Sequence, residues 1–81
     1  MNWTKYNKQP PLENDRYLVV AAIFGIPRIQ IYSYADDLYK VDEFDFHEDA
    51  GAGWYDYDDE VGYYQIPNVT HWMPLPELPN S

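Results

Sequence analysis

The sequence predicts a mainly β domain: one small antiparallel sheet, meander or partly open barrel of four to six strands, with room for one short helical turn, and an extended proline-rich C-terminal tail. Three observations carry this. The stretch RYLVVAAIFGIPRIQIYSYA is rich in β-branched and aromatic residues, lacks helical spacing and is interrupted once, at Gly25 to Pro27. A second stretch, GWYDYDDEVGYYQI, sets Trp54, Asp56 and Asp58 against Tyr55 and Tyr57 on alternate sides of a strand, with a turn near Asp58 to Gly62. Prolines 10 and 11 near the start, and 74, 76 and 79 near the end, keep helix out of both termini.

The elements follow in order. QPPLENDR reads as an irregular lead-in, because Pro10 and Pro11 fix the backbone and Asn14-Asp15 supply a turn. Tyr17 to Phe24 is apolar at both parities and is expected to run centrally, with both faces covered or nearly so. Its hairpin partner, Arg28 to Tyr34, turns Ile29, Ile31 and Ser33 one way and Arg28, Gln30, Tyr32 and Tyr34 the other, one of these sets being core. The middle, ADDLYKVDEFDFHEDAGAG, is open to two readings. It begins either with a helical turn capped by Asp36 or with a strand placing Leu38, Lys40, Asp42, Phe44 and Phe46 on one face; strand followed by loop is the expectation. Pro67-Asn68 then turns the chain into a short strand, Val69 to Met73, whose Val69, His71 and Met73 oppose Thr70 and Trp72. The prolines beyond it exclude further sheet pairing at their own positions and favour a polyproline-like course.

One domain, residues 1–81, is all this length accommodates, and a chain so short buries only roughly 60% of its unfolded surface. Aromatics, 19% of the chain, compensate, since each large ring buries about 150–250 Å². Cysteine is absent, which excludes disulfides and thiolate metal sites and suits an intracellular setting. The opening MNWTKYNKQPP has no signal-peptide run and YLVVAAIFGI is shorter than a membrane-spanning helix, so a soluble protein is expected.

Charge is the sharpest bulk signal. Of fourteen Asp and Glu, eleven lie between residues 36 and 60, against the single Lys40, within a net charge of −9. Such a stretch repels phosphates, so direct nucleic-acid or anionic-membrane binding is not expected and a basic protein partner is. A strand can still form here. Carboxylates two residues apart lie about 7 Å from each other and repel by only about 0.6 kcal/mol in water, whereas one buried ring returns about 1.5–3 kcal/mol.

The chemistry-bearing residues match no catalytic pattern, and the chain is expected not to be an enzyme. His71 has no partner at a recognisable spacing and is expected to be a strand histidine. His47-Glu48-Asp49 is not the His-Glu-x-x-His of a zinc protease. Asp56, Asp58 and Glu60 imitate the start of a calcium loop, but Val61 stands where glycine is required. No cofactor or metal is expected. Pro76-Glu77-Leu78-Pro79 has proline-ligand spacing without a flanking cation; the expectation instead is that Trp72, Met73 and Leu75 fold back over the sheet and over Trp3.

The run VTHWMPLPELP, with Trp3, PPLENDRYLV and GWY, resembles the family called domain of unknown function 551, short proteins found mostly in phage and prophage genomes. The resemblance covers both ends well and the middle poorly. It implies a compact antiparallel β domain with Trp3, His71, Trp72, Met73, Pro74 and Pro76 as its structural motif, a bacterial cytoplasm as setting, and no catalytic residues. Two functions are compatible. In the first, a non-catalytic accessory module presents Asp56, Tyr57, Asp58, Asp59, Glu60 and Tyr63 to a basic protein surface, as a nucleic-acid mimic or anti-defence factor. In the second, Tyr32, Tyr34, Tyr55, Tyr57, Tyr63 and Tyr64 line a small-ligand cleft or build a homodimer.

Overall fold

The computed structural model describes residues 2–76, which form one open, six-stranded, wholly antiparallel sheet. Its strands are β1 (Thr4–Lys5), β2 (Arg16–Ile23), β3 (Ile26–Ala35), β4 (Gly53–Asp58), β5 (Gly62–Ile66) and β6 (Val69–Pro74), in the spatial order β1-β6-β2-β3-β4-β5. Among the described residues no helix is long and apolar enough to cross a membrane. Glu77-Leu78-Pro79, the remainder of the proline-spaced pattern, lies outside the described residues.

Connectivity forces the sheet to curl. β5 and β6 are four strand spacings apart, about 19 Å in a flat sheet. Only Pro67 and Asn68 join them, a reach of at most about 11 Å. The sheet therefore wraps, and its concave face holds Tyr17, Val19, Ala21, Tyr34, Trp54, Ile66 and Trp72 as the main core. Trp54 sits at the centre, with the rings of Tyr34, Tyr6 and Tyr17 at 5.1, 5.6 and 5.9 Å in edge-to-face geometry. The lead-in closes this face: Trp72 Nε1 donates to the Gln9 carbonyl (2.8 Å), Tyr17 OH to that of Glu13 (2.9 Å), and Pro11 is buried.

The termini are knitted through neighbours of the expected pair. Thr4 stands across from Trp72 and the Tyr17 ring meets it edge-to-face at 5.1 Å, while Trp3 is only half-buried just ahead of β1. Pro74, expected to leave the sheet, pairs with Tyr17 as the last residue of β6, where its missing N–H is harmless because β1 has already ended. Pro76 is exposed beyond the strand. A bulge between the Val20 and Ala21 pairings inserts Thr70 and reverses the alternation of β6. Val69 thus packs against the core with Trp72 rather than opposite to it.

Pro27 lies inside β3, opposite Ala22, and not in the turn. In a two-residue hairpin the flanking pair, Ile23 with Ile26, is hydrogen-bonded, so the next pair is not. On its other side β3 meets β4 only from Ser33 onward, so no ladder bond is lost. The turn itself is Phe24-Gly25, with φ of 53° and 79°. A bulky side chain in left-handed backbone is strained, and this one is 99% exposed with nothing to compensate. Phe24→Asn, the residue preferred at that position, is expected to raise the unfolding free energy by about 1 kcal/mol, measured by urea denaturation; an unchanged midpoint would contradict the strain.

The middle segment departs most from expectation. Leu38–Lys40 is a single 3-10 turn, and residues 41–52 continue as turns with no strand. Its cap is Asp37, whose Oδ1 accepts from Tyr39 N (3.1 Å). Asp36 is engaged elsewhere, accepting from Asn14 Nδ2 (3.1 Å) and donating its own N–H to Asn14 Oδ1 (2.9 Å). A strand would have put Phe44 and Phe46 on one face. Instead Phe46 is buried with Leu38 and Ala35 against Tyr55 and Tyr63, and Phe44 is 90% exposed.

Candidate functional site

The predicted partner-binding residues all fall on one hairpin, β4–β5, but not on one face. Register pairs Asp56 with Tyr64 and Tyr57 with Tyr63, which sends Asp56 to the concave side and the two tyrosines to the outer side. Asp59 and Glu60 occupy the turn between them. Asp58 organises that turn: its Oδ1 accepts from Glu60 N (2.7 Å) and Val61 N (3.3 Å), and Gly62 supplies a φ of 85°. Asp56 uses Oδ1 for the N–H of Tyr57 (2.9 Å) and Oδ2 for the hydroxyl of Tyr64 (3.4 Å).

A residue missed from sequence completes the site. Asp45 Oδ2 accepts the backbone N–H of Tyr63 at 3.0 Å and occupies the space that a Cβ on Gly62 would need, 2.8 Å away. It ties the acidic loop to the acidic hairpin across 18 residues of sequence, a contact with no local signature. Beneath it, Phe46, Tyr55, Tyr63 and Tyr57 form a chain of ring contacts, edge-to-face at 6.3 and 5.8 Å and tilted at 5.0 Å. Loop and hairpin thus form one platform bearing most of the negative charge. No charged side chain among the described residues is buried, and Phe44, Val61 and, at 55% exposure, Tyr57 stand among the carboxylates.

The electrostatics mark the other side of the hairpin as well. Burial raises the Tyr32 and Tyr64 phenols above their ordinary value of 10.0, and the nearby Asp56 carboxylate raises both further. This side presents acceptors and neutral hydroxyls, a surface suited to cationic donors.

The six tyrosines proposed to share a cleft do not. Tyr32, Tyr34 and Tyr64 lie on the concave side and Tyr55, Tyr57 and Tyr63 on the outer side, because alternation along a strand separates neighbours. One cavity, of about 240 Å³, lies at the β5–β6 seam, lined by Tyr6, Trp54, Gln65, Ile66 and Asn68 among others. Another, an open surface depression of about 410 Å³, is lined by the loop residues Tyr39 to Phe44. Among the described residues no three His, Asp or Glu side chains group as metal ligands would. His47 is exposed; His71 is half-buried on β6 with its Nδ1 2.9 Å from Thr70 Oγ1, and Met73 is half-buried beside it.

A family model described as Protein of unknown function (DUF551) matches residues 3–80. No curated protein and no solved structure gives a match.

Proposed function

The chain belongs to the protein family of unknown function DUF551, and from that premise, which assigns no chemistry, we propose that it is a non-catalytic interaction module whose acidic platform engages a basic protein surface. The observation that supports this best is the pairing of surface carboxylates with exposed aromatics on one pre-ordered hairpin. Asp58 and Asp45 hold the backbone in place, so little further ordering is needed on binding. Asp59 and Glu60 stand at the turn, and Tyr57 adds contact area at low rotamer cost. Negative charge concentrated at one end speeds encounter with a cationic surface and makes binding salt-dependent.

In this reading the partner's surface is one shaped for nucleic-acid phosphates, and the protein is a phage-type accessory factor acting in the host cytoplasm as a mimic. The test compares wild type with Asp56→Asn, Asp58→Asn, Asp59→Asn and Glu60→Gln combined. Asparagine at 58 keeps an acceptor for the turn, so the melting temperature is expected to hold while capture of a basic protein from bacterial lysate is lost. Raising salt is expected to release the same protein from wild type. Capture that is indifferent to both salt and the four substitutions would refute the proposal.

A further inference from the structure

The β3–β4 ladder ends sooner than its strands do. β3 begins at Ile26 and β4 runs on to Asp58, yet they pair only at Ser33 with Tyr55, Tyr34 with Trp54 and Ala35 with Gly53. In the same register the next pairs would be Tyr32 with Asp56 and Ile31 with Tyr57, and neither forms.

Alternation decides which backbone groups are left at this opening. The Tyr34 N–H turns toward β2 and donates to the Asp15 carbonyl (2.8 Å), so the odd-numbered residues of β3 present their N–H and C=O to β4. Their hydrogen-bonded partners on β4 are Gly53 and Tyr55, which makes Tyr57 the next in line for Ile31. The Tyr57 N–H is already taken. Asp56 Oδ1 accepts it at 2.9 Å, while Oδ2 accepts the Tyr64 hydroxyl at 3.4 Å. An aspartate side chain offers the backbone an alternative to the ladder, and an ionised acceptor competes well with a neutral carbonyl for the same donor.

The two strands have not drifted far apart where pairing stops. Burial, and after it the Asp56 carboxylate, raises the Tyr32 phenol, so these unpaired register neighbours are still close. Ile31 and Tyr57 both project from the outer side, 43% and 55% exposed. One more hydrogen-bonded pair would join them as aromatic and β-branched cross-strand partners, a combination that stabilises sheets. Closure goes no further than that pair, because β4 ends at Asp58.

We propose that Asp56 is the stop of this ladder: by holding the Tyr57 N–H, its carboxylate keeps the end of the β4–β5 hairpin off β3 and leaves Tyr57 presented. Withdrawing the carboxylate zips the ladder by one pair and lays Tyr57 against Ile31. Asp56 is thus a positioning residue of the platform as well as one of its charges, a role whose functional meaning rests on the platform reading given above.

Amide hydrogen exchange followed by NMR on the full chain tests the assignment. In wild type the Ile31 amide is expected to exchange as an open edge does, much faster than that of Ser33. Asp56→Val keeps strand propensity and removes the acceptor; Ile31 is then expected to be protected at least about tenfold more than in wild type, with an Hα–Hα contact between positions 32 and 56. Asp56→Ala gives the same result if valine disturbs the packing beside Tyr64. Asp56→Asn removes the same charge but retains an acceptor, and is expected to stay open. Capture of the basic protein from lysate separates position from charge, since it should fall further in Asp56→Val than in Asp56→Asn. The exchange measurement needs no partner, so its failure is distinct from failure of the platform reading. A wild-type Ile31 amide as protected as that of Ser33, an amide still unprotected in both the valine and alanine variants, closure in Asp56→Asn as well, or equal capture by the valine and asparagine variants would overturn the role given to Asp56.

Discussion

Trp54→Ala is expected to leave this chain largely unfolded. Trp54 is 1% exposed and three tyrosine rings pack edge-on around it. Truncating a buried tryptophan to alanine costs about 3–5 kcal/mol. At about 0.05–0.15 kcal/mol per residue a domain of this size holds only about 4–12 kcal/mol in total. The cavity would also sit where β3, β4 and the N-terminal Tyr6 meet, so no single element can collapse into it. Trp54→Phe provides the contrast. Trp54 Nε1 is buried without a hydrogen-bond partner, a penalty of about 1–3 kcal/mol that phenylalanine removes while keeping most of the ring. Urea denaturation followed by far-ultraviolet circular dichroism checks both: Trp54→Ala without a folded baseline, Trp54→Phe with a transition near that of wild type. Equal losses in the two variants would place the anchor elsewhere.

Above pH 10 the domain is expected to lose stability, seen as a falling melting temperature. Burial raises the phenols of Tyr17 and Tyr34 above 10.0, with Asp15 and Asp36 respectively adding to the effect, and burial followed by the neighbouring Tyr34 does the same for Tyr6. The folded chain therefore keeps these protons at a pH where the unfolded chain has lost them. The contribution is complete below the unfolded value of 10.0 and declines as pH climbs through the higher folded values. Each proton retained only by the folded state removes about 1.4 kcal/mol of stability per pH unit. The loss is confined to the interval between the unfolded and the raised folded values, and Tyr6, Tyr17 and Tyr34 all act in the same direction there. Tyrosinate absorbance from Tyr6, Tyr17 and Tyr34 should appear only above pH 10.0, and the melting temperature should fall over the same range. A melting temperature that stays constant as pH climbs past 10.0 would be inconsistent with these raised phenols.

Both predictions concern a core whose members were visible in the sequence but whose arrangement was not. The strand containing Trp54, Asp56 and Asp58 alternates as read, because period-two patterning is a local property of the backbone. The Ile29/Ile31 set and the Tyr32/Tyr34 set were equally plausible core faces. The tyrosines won because the lead-in and Trp54 cover their side, while the loop stops short of the isoleucines. Local reading was misled where a distant contact intervenes: Asp45 on Tyr63, Asn14 on Asp36, and the Thr70 bulge that brings Val69 inward.

Sequence by itself determined the two hairpins, the class of the fold, the family resemblance and the segregation of charge, since each depends on turn chemistry, alternation or composition within a short window. Only the tertiary structure decided the strand order, the curl that brings β5 back to β6, the 3-10 turn in place of a strand, and which half of the outer face is left bare. Those outcomes depend on the chain burying aromatic area between segments tens of residues apart, and the free energy of such burial is a property of the assembled surfaces rather than of any one segment.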